Sequence, residues 1–185
     1  LILGSEIEVY DMRSRGPIHV LAFLPNIKQM QTFSTWLSSF LKNITLSSQR
    51  FHGEGRQLPQ KVQDLGGLFI PAHVFTPFKS LYGRGVKRSL TEVFDPDLID
   101  AIELGLSADT EMADQISELH RYPYLTNSDS HSLTKIAREY QQILLKEPTF
   151  NEFSCALQQQ GKRRIYANYG LNPKLGKYYR TVCKQ

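Results

Sequence analysis

Hydrophobic runs alternate with amphipathic segments along most of the chain. Runs rich in branched and aromatic residues, bounded by turn-forming residues, predict β-strands. These runs are LILGSEIEV (1–9), IHVLAFL (18–24), GLFIPAH (67–73), AIELGL (101–106), PYLTNSD (123–129) and RRIYAN (163–168). Because the strands alternate with helical patterns, we predict an α/β protein with a largely parallel sheet or barrel.

Apolar residues spaced three to four positions apart, preceded by capping residues, predict the intervening helices. These helices begin after Asn26, within 59–67, at Ser89, after Asp109 and at Thr149. The fourth is predicted to span 109–120, and the last starts with a Thr149–Glu152 capping box and ends near Gly161.

The composition is typical of a folded globular domain. The 185 residues are 41% hydrophobic and 22% charged. No run reaches the ~18 apolar residues that a membrane helix needs, so we expect a cytoplasmic protein without a membrane partner. Cys155 and Cys183 are too few for a disulfide framework, which fits a reducing compartment. The chain lacks an initial Met and opens inside an apolar run, so we expect it to be part of a longer protein.

Positive charge is concentrated near the end of the chain. Residues 161–185 contain seven Lys or Arg and no acid, whereas the rest of the chain carries 15 Lys or Arg against 18 acids. Four tyrosines are interleaved with these cations, a mixture that suits the phosphates and bases of a nucleic acid. A solvated basic terminus explains the charge equally well.

Carboxylate and imidazole side chains recur at the predicted strand ends. Glu6 lies in or just after the first strand, His73 closes GLFIPAH, and Asp129 with His131 follows PYLT. In parallel α/β proteins the carboxyl ends of strands surround one mouth, so these groups are candidates for a divalent metal site. Glu103 is a weaker candidate, buried in AIELGL, where an ionised carboxylate needs a partner or a metal.

His19 is also a weak candidate, because it begins a strand and is expected at the opposite edge unless that strand is short. Each candidate has a structural alternative, since a lone His is often only hydrogen-bonded and Asp129 could form an Asx-turn. A Ser-His-Asp hydrolase and a nucleotide-binding fold are disfavoured, because the chain has no Gly-x-Ser-x-Gly elbow and no Walker loop.

Five motifs together resemble the PHP (polymerase and histidinol phosphatase) superfamily, and within it the endonuclease Q group. The motifs are LGSEIEV, PAHVFTPFKSLYG, AIELGLSAD, TNSDSHS and NYGLNPKLGKYYRTVC. The resemblance implies a distorted (β/α)7 barrel, here incomplete at its N-terminus, over residues 1–160. It also implies that 161–185 form a basic, Tyr-rich final strand and tail leading to a zinc-binding region, with Cys183 as a possible zinc ligand.

The resemblance further implies a cluster of two or three divalent ions (Zn, Mn or Mg) in the complete site. Its ligands would be Glu6, His73, Asp129 and His131, with His19 and Glu103 at less certain positions, and Asp129 and His131 would also act in catalysis. The family's opening His-x-His motif is absent from this chain. The implied activity is nicking of DNA on the 5′ side of uracil, hypoxanthine or abasic sites. The alternatives are a phosphatase of small phosphomonoesters and a non-catalytic DNA-binding module.

The segment FTPFKSLYGRGVKR (75–88) is the predicted DNA-contacting loop. Its rings would stack on bases and its cations would bind phosphates. The candidate DNA-binding residues are Lys79, Tyr82, Arg84, Lys87, Arg88 and, in the tail, Lys177. The alternative is a loop that packs Phe75, Phe78 and Tyr82 over the mouth of the barrel.

Overall fold

The computed structural model describes residues 1–46 and 50–179. The first sheet has four strands in the order β3-β1-β2-β4. They are β1 (Leu3–Val9), β2 (Ile18–Leu24), β3 (Arg50–Phe51) and β4 (Leu68–Pro71). β1 and β2 form an antiparallel pair, β3 runs parallel to β1, and β4 is antiparallel to β2. The start of β2 therefore lies at the same edge as the carboxyl ends of β1 and β4.

Two smaller sheets extend the structure. β5 (Ile102–Glu103) is parallel to β6 (Tyr124–Leu125), and β7 (Tyr140–Leu144) is antiparallel to β8 (Arg164–Tyr169). β5 follows the edge of β4, because the backbone N–H of Val74 donates to the carbonyl of Glu103 at 3.0 Å. The sequence pattern missed β7, whose two central glutamines weaken the hydrophobic signal.

The predicted α/β class is confirmed, but the predicted largely parallel order is wrong for the described residues. Here β1–β3 and β5–β6 pair in parallel, while the longer strands β1, β2, β7 and β8 all have antiparallel partners. The connection between β1 and β2 is too short for the helical crossover that parallel neighbours require, so these strands must form a hairpin. The incomplete (β/α)7 barrel remains a prediction.

The helices follow the sequence signals at their starts better than at their ends. α1 (Ile27–Ser38) begins as predicted at Asn26, whose side chain accepts the Gln29 N–H at 3.0 Å. α2 (Gln57–Asp64) and α4 (Phe150–Leu157) are also confirmed, and the hydroxyl of Thr149 caps α4. The helix predicted from Ser89 is a single 3₁₀ turn over Leu90–Glu92, with a complete Ser89–Glu92 capping box.

The predicted helix over 109–120 is wrong beyond its first turn. Asp109 caps α3 (Thr110–Ala113) as predicted, but Ile116 takes an extended conformation before a 3₁₀ turn over Ser117–Leu119. This break brings Leu119 into the main core, where it is fully buried. Tertiary burial thus overrides the local amphipathic pattern.

Two apolar clusters cover opposite faces of β4. Phe69 packs into the larger cluster, whereas Leu68 and Ile70 pack into the smaller one with Phe153 of α4. Because adjacent strand residues point to opposite faces, both sides of this strand are buried, which explains its unbroken apolar run. In the described parts of the chain, no helix has the length and apolar character needed to span a lipid bilayer.

Asp100 is a partly buried carboxylate beside β4. Its Oδ2 accepts the Phe69 N–H at 2.7 Å and the Gln63 amide at 2.8 Å. Burial raises the pKa of Asp100 to about 6. A folded-state pKa above the unfolded value of about 3.9 makes this group progressively destabilising as pH rises from about 4 to 6.

We expect Asp100→Asn to remove that loss, since an amide oxygen can accept the same two hydrogen bonds. Relative to wild type, the variant should gain on the order of 1–2 kcal/mol of unfolding free energy between pH 4 and 7. Denaturant unfolding at pH 4, 5, 6 and 7 measures this difference. Asp64→Asn, at the exposed end of α2, is the control and should track wild type. The prediction would be contradicted if the unfolding free energies of Asp100→Asn and wild type changed equally with pH.

Candidate metal centre

The register of β1 against β2 brings three candidate residues to one edge of the first sheet. β1 carries Glu6, and its Glu8 lies directly opposite His19 of β2. His73 follows the end of β4, and the Ala72 N–H beside it donates to the carbonyl of His19 at 2.9 Å. His19 was expected at the opposite edge because it begins a strand. That expectation is wrong because β2 runs antiparallel to both of its neighbours.

Glu6, His19 and His73 form a compact cluster in which one potential ligand atom from each residue lies within 4.8 Å of the other two. His19 Nδ1 is 3.2 Å from His73 Nε2, and Glu6 Oε1 is 3.6 Å from His73 Nε2 and in direct contact with His19 Nδ1. Two nitrogen ligands of a tetrahedral ion, each bonded at about 2.0–2.1 Å, lie about 3.3 Å apart. The donor types and their spacing therefore fit a divalent metal ion.

A hydrogen bond on His73 and an ion-pair contact on His19 orient the two imidazole rings towards Glu6. His73 Nδ1 lies 3.0 Å from the hydroxyl of Thr76, and that hydroxyl can donate its own proton to the carbonyl of His73 or of Phe78. His19 Nε2 lies 3.5 Å from Oε2 of Glu8. With protons on these outer nitrogens, the neutral rings direct His73 Nε2 and His19 Nδ1 to the centre as lone-pair donors.

The charges of the cluster stabilise one another. Hydrogen bonds with His19 and then His73 hold the pKa of Glu6 well below its usual range. Burial opposes the charged form of His73, but Glu6, Glu103 and Asp129 outweigh it and raise the pKa of His73. An anionic site that favours positive charge on a histidine also favours a cation in its place.

Glu8 is the second carboxylate of this edge. Its carboxylate accepts from Lys79 at 2.7 Å and from Arg50 at 2.6 Å. Burial alone would raise the pKa of Glu8, but these two cations lower it. Its alternation with Glu6 on β1 is the sequence signal that pairs both carboxylates with one sheet face.

Glu103 lies behind His73 rather than in the cluster. Its Oε2 accepts the backbone N–H of His73 at 2.8 Å, and its Oε1 accepts the Asn127 amide at 2.6 Å. Burial raises the pKa of Glu103 in spite of these bonds. Glu103 is only 4% exposed, so its carboxylate faces the backbone of His73 and not the open cavity.

Asp129 and His131 lie at the rim of the site. Asp129 has a left-handed backbone (φ 42°), and its Oδ1 is 3.7 Å from His131 Nδ1. His131 is largely exposed and borders the same cavity of about 540 Å³ as Glu6, His19 and Lys79. The structure thus brings His131 to the cavity, and neither residue of the pair belongs to the cluster of three.

The predicted DNA-binding residues are divided between the cavity and the surface. Lys79 lines the cavity, while Arg84, Lys87 and Arg88 are exposed. Lys177 is exposed with its Nζ 5.0 Å from the centre of the Tyr178 ring.

The aromatic rings of the 75–88 loop are divided in the same way. Tyr82 stacks on Phe75 with ring centres 5.5 Å apart and donates its hydroxyl to Glu118, which matches the packing alternative. Phe78 is 61% exposed and contacts Tyr178, so the basic tail reaches this loop. Cys183, a predicted zinc ligand, lies outside the described residues.

The chain spans less than half the length of the relatives and solved structures described here. No protein-family model matches it. It is 62% identical over 184 residues to the uncharacterized protein YqxK of Bacillus subtilis, covering all of this chain and 48% of that protein. It is 42% identical over 123 residues to the uncharacterized protein MJ0043 of Methanocaldococcus jannaschii, covering 60% of this chain and 14% of that protein.

Two solved structures identify the fold. The lesion-specific endonuclease PfuEndoQ of Pyrococcus furiosus is 36% identical, with a TM-score of 0.82 over 92% of this chain and 42% of its own. Endonuclease Q bound to a 27-mer duplex with an abasic lesion at its active site is also 36% identical, with a TM-score of 0.83 over 95% and 44%. The chain therefore has the fold of a lesion-specific DNA endonuclease. Its predicted resemblance to the endonuclease Q group is confirmed.

We expect Thr76→Val to weaken metal binding, because the near-isosteric side chain removes the hydrogen-bond partner of His73 Nδ1. Loss of such an outer partner typically lowers metal affinity at least about tenfold. Competition against a fluorescent chelator measures the Kd for Mn²⁺ and Zn²⁺. Thr32→Val on the exposed face of α1 is the matched control. Equal affinities for the two variants would contradict the orienting role of Thr76.

Proposed function

We propose that the protein is a metal-dependent DNA endonuclease that hydrolyses the phosphodiester bond 5′ of a deaminated base or an abasic site. The observation that supports this most is the cluster of Glu6 with two oriented histidines, in a chain with the endonuclease Q fold. A related endonuclease Q holds an abasic duplex at its active site, which supports DNA as the partner here. Such a partner favours a cytoplasmic location.

In this proposal, Glu6, His19 and His73 hold one divalent ion, and Asp129 and His131 contribute to the two or three ions of the complete site. Zinc, manganese and magnesium are the candidates, since the donors are carboxylate and imidazole. When bound, such ions lower the pKa of a coordinated water and offset the charge that develops on the phosphate. The remaining steps belong to the protein side chains.

Asp129 and His131 are proposed to move the proton of the attacking water. Their side chains lie 3.7 Å apart, and His131, which borders the cavity, is exposed enough to pass the proton to solvent. The charge of Asp129 also favours a cation on the neighbouring His73. The pair therefore combines a base near the cluster with a relay that reaches bulk water.

Lys79 is proposed to bind a phosphate oxygen next to the cleaved bond. Its Nζ is held 2.7 Å from Glu8 and its side chain is 47% exposed at the cavity. Because Glu8 also holds Arg50, the carboxylate keeps one counter-ion when Lys79 turns towards DNA. The side chain is thus positioned in advance of substrate binding.

The exposed residues of the 75–88 loop and the tail form the proposed DNA surface. Phe78 and Tyr178 offer aromatic faces, while Arg84, Lys87, Arg88 and Lys177 offer phosphate ligands. Tyr82 is not assigned to stacking, because its ring and hydroxyl are already used. Extruding a mismatched or abasic nucleotide costs less than extruding a paired one, which favours lesions as substrates.

Asp129→Ala in the complete protein tests the function. We expect nicking of uracil-containing and abasic duplexes, with Mg²⁺ or Mn²⁺, to fall at least about a hundredfold, the contribution typical of a general base. Asp114→Ala, an exposed acid on α3's C-cap, should nick like wild type. Retained nicking by Asp129→Ala would contradict the assignment.

The same preparation separates the alternative functions. A DNA endonuclease should lose activity steeply as salt increases, because binding releases counter-ions from the phosphates. Hydrolysis of a chromogenic phosphomonoester without nicking would instead indicate a phosphatase. DNA affinity without bound metal or hydrolysis would indicate a binding module.

A further inference from the structure

A chain of buried and partly buried hydrogen bonds leads from the antiparallel strand pair β7–β8 to His73. It begins at Gln141 of β7, whose Nε2 donates to Asn127 Oδ1 at 3.2 Å. Asn127 Nδ2 donates to Glu103 Oε1 at 2.6 Å, and Glu103 Oε2 accepts the His73 N–H at 2.8 Å. These two strands carry no candidate ligand, yet they are linked to the metal cluster through the side chains of Gln141, Asn127 and Glu103.

The direction of this chain is fixed at both ends. Gln141 Oε1 accepts the backbone N–H of Thr126 at 3.0 Å, so its amide nitrogen must face Asn127. Asn127 accepts from Gln141 through Oδ1, so its amide nitrogen faces Oε1 of Glu103. Neither amide can flip without placing two acceptors against each other.

The hydrogen-bond chain ends at His73, a residue with an unusual backbone conformation. His73 has a left-handed conformation (φ 32°), which side-chain-bearing residues adopt only where neighbouring contacts enforce it. Glu103 supplies one such contact, and Gly105 supplies another, since a Cβ there would lie 2.6 Å from the Cβ of His73. β5 therefore holds the backbone of His73 from beneath.

We propose that Gln141 and Asn127 are positioning residues of the metal centre, acting on His73 through the carboxylate of Glu103. The proposal rests on the function proposed above, in which His73 is a metal ligand. Asn127 also lies two residues before Asp129, which has a left-handed backbone of its own. One hydrogen-bond chain thus sets the backbone of His73 and holds the strand end that leads to Asp129.

Gln141→Glu in the complete protein breaks the chain at one atom. The new carboxylate can still accept from Thr126 but can no longer donate to Asn127. Asn127 must then lose one partner, because turning its nitrogen to residue 141 puts its oxygen against Glu103. We expect the amide proton of His73 to exchange several-fold faster in metal-free protein, measured by NMR. We also expect the Kd for Mn²⁺ to rise about tenfold.

Gln142→Glu is the matched control. It adds the same charge at the next residue of β7, where the side chain is exposed on the opposite face of the β7–β8 sheet. It should leave both the His73 exchange rate and the Mn²⁺ affinity unchanged. Gln141→Met, which has similar length and no hydrogen bond, repeats the test if Gln141→Glu unfolds.

Each outcome decides a separate point. Unchanged exchange of the His73 amide in Gln141→Glu would overturn the hydrogen-bond chain. Faster exchange with wild-type Mn²⁺ affinity would overturn the positioning role and leave Gln141 with a structural one. A wild-type protein that binds no Mn²⁺ or Zn²⁺ would overturn the proposed function, and the exchange measurement would still test the chain without metal.

Discussion

The antiparallel register between β1 and β2 is the constraint on which the site depends. It sets Glu8 opposite His19 and leaves Glu6 on the same face of β1, so that two strands deliver a carboxylate pair and an imidazole to one edge. A slip of one residue would turn every side chain of β2 to the other face. The alternating burial of β2, with Ile18, Val20 and Ala22 fully buried, makes such a slip expensive.

Around this register the structure uses pairs of opposite charge to keep the cavity polar without leaving carboxylates unpaired. Glu8 serves His19, Lys79 and Arg50 at once, while Glu6 faces both histidines. Carboxylates at this depth would otherwise favour protonation, which would make them poor ligands for a cation. The cations around Glu8 thus keep the edge ionised, and Glu6 remains available at the centre.

Sequence patterns were sufficient for the elements with strong local signals. Asn26 and Thr149 begin helices as predicted. Of the residues at predicted strand ends, His73 lies in the cluster with Glu6 and His131 borders the cavity, while their roles as ligands remain predictions. His19 was misplaced because strand direction is a tertiary property, set by the short β1–β2 connection rather than by the strand itself. Gln141 was missed because it lies in a weak strand pattern, and the local sequence does not show that its side chain will bond to Thr126 and Asn127.

The distribution of the site along the chain has a consequence for how it is assembled. Glu6 and His19 lie on strands of the first sheet, and His73 lies two residues after its last strand, β4. Gln141 lies much later in the sequence, on β7, whose partner strand β8 ends only at Tyr169. The geometry of the cluster is therefore complete only when the chain has folded as far as β7, because the hydrogen bonds that act on His73 come from Glu103, Asn127 and Gln141.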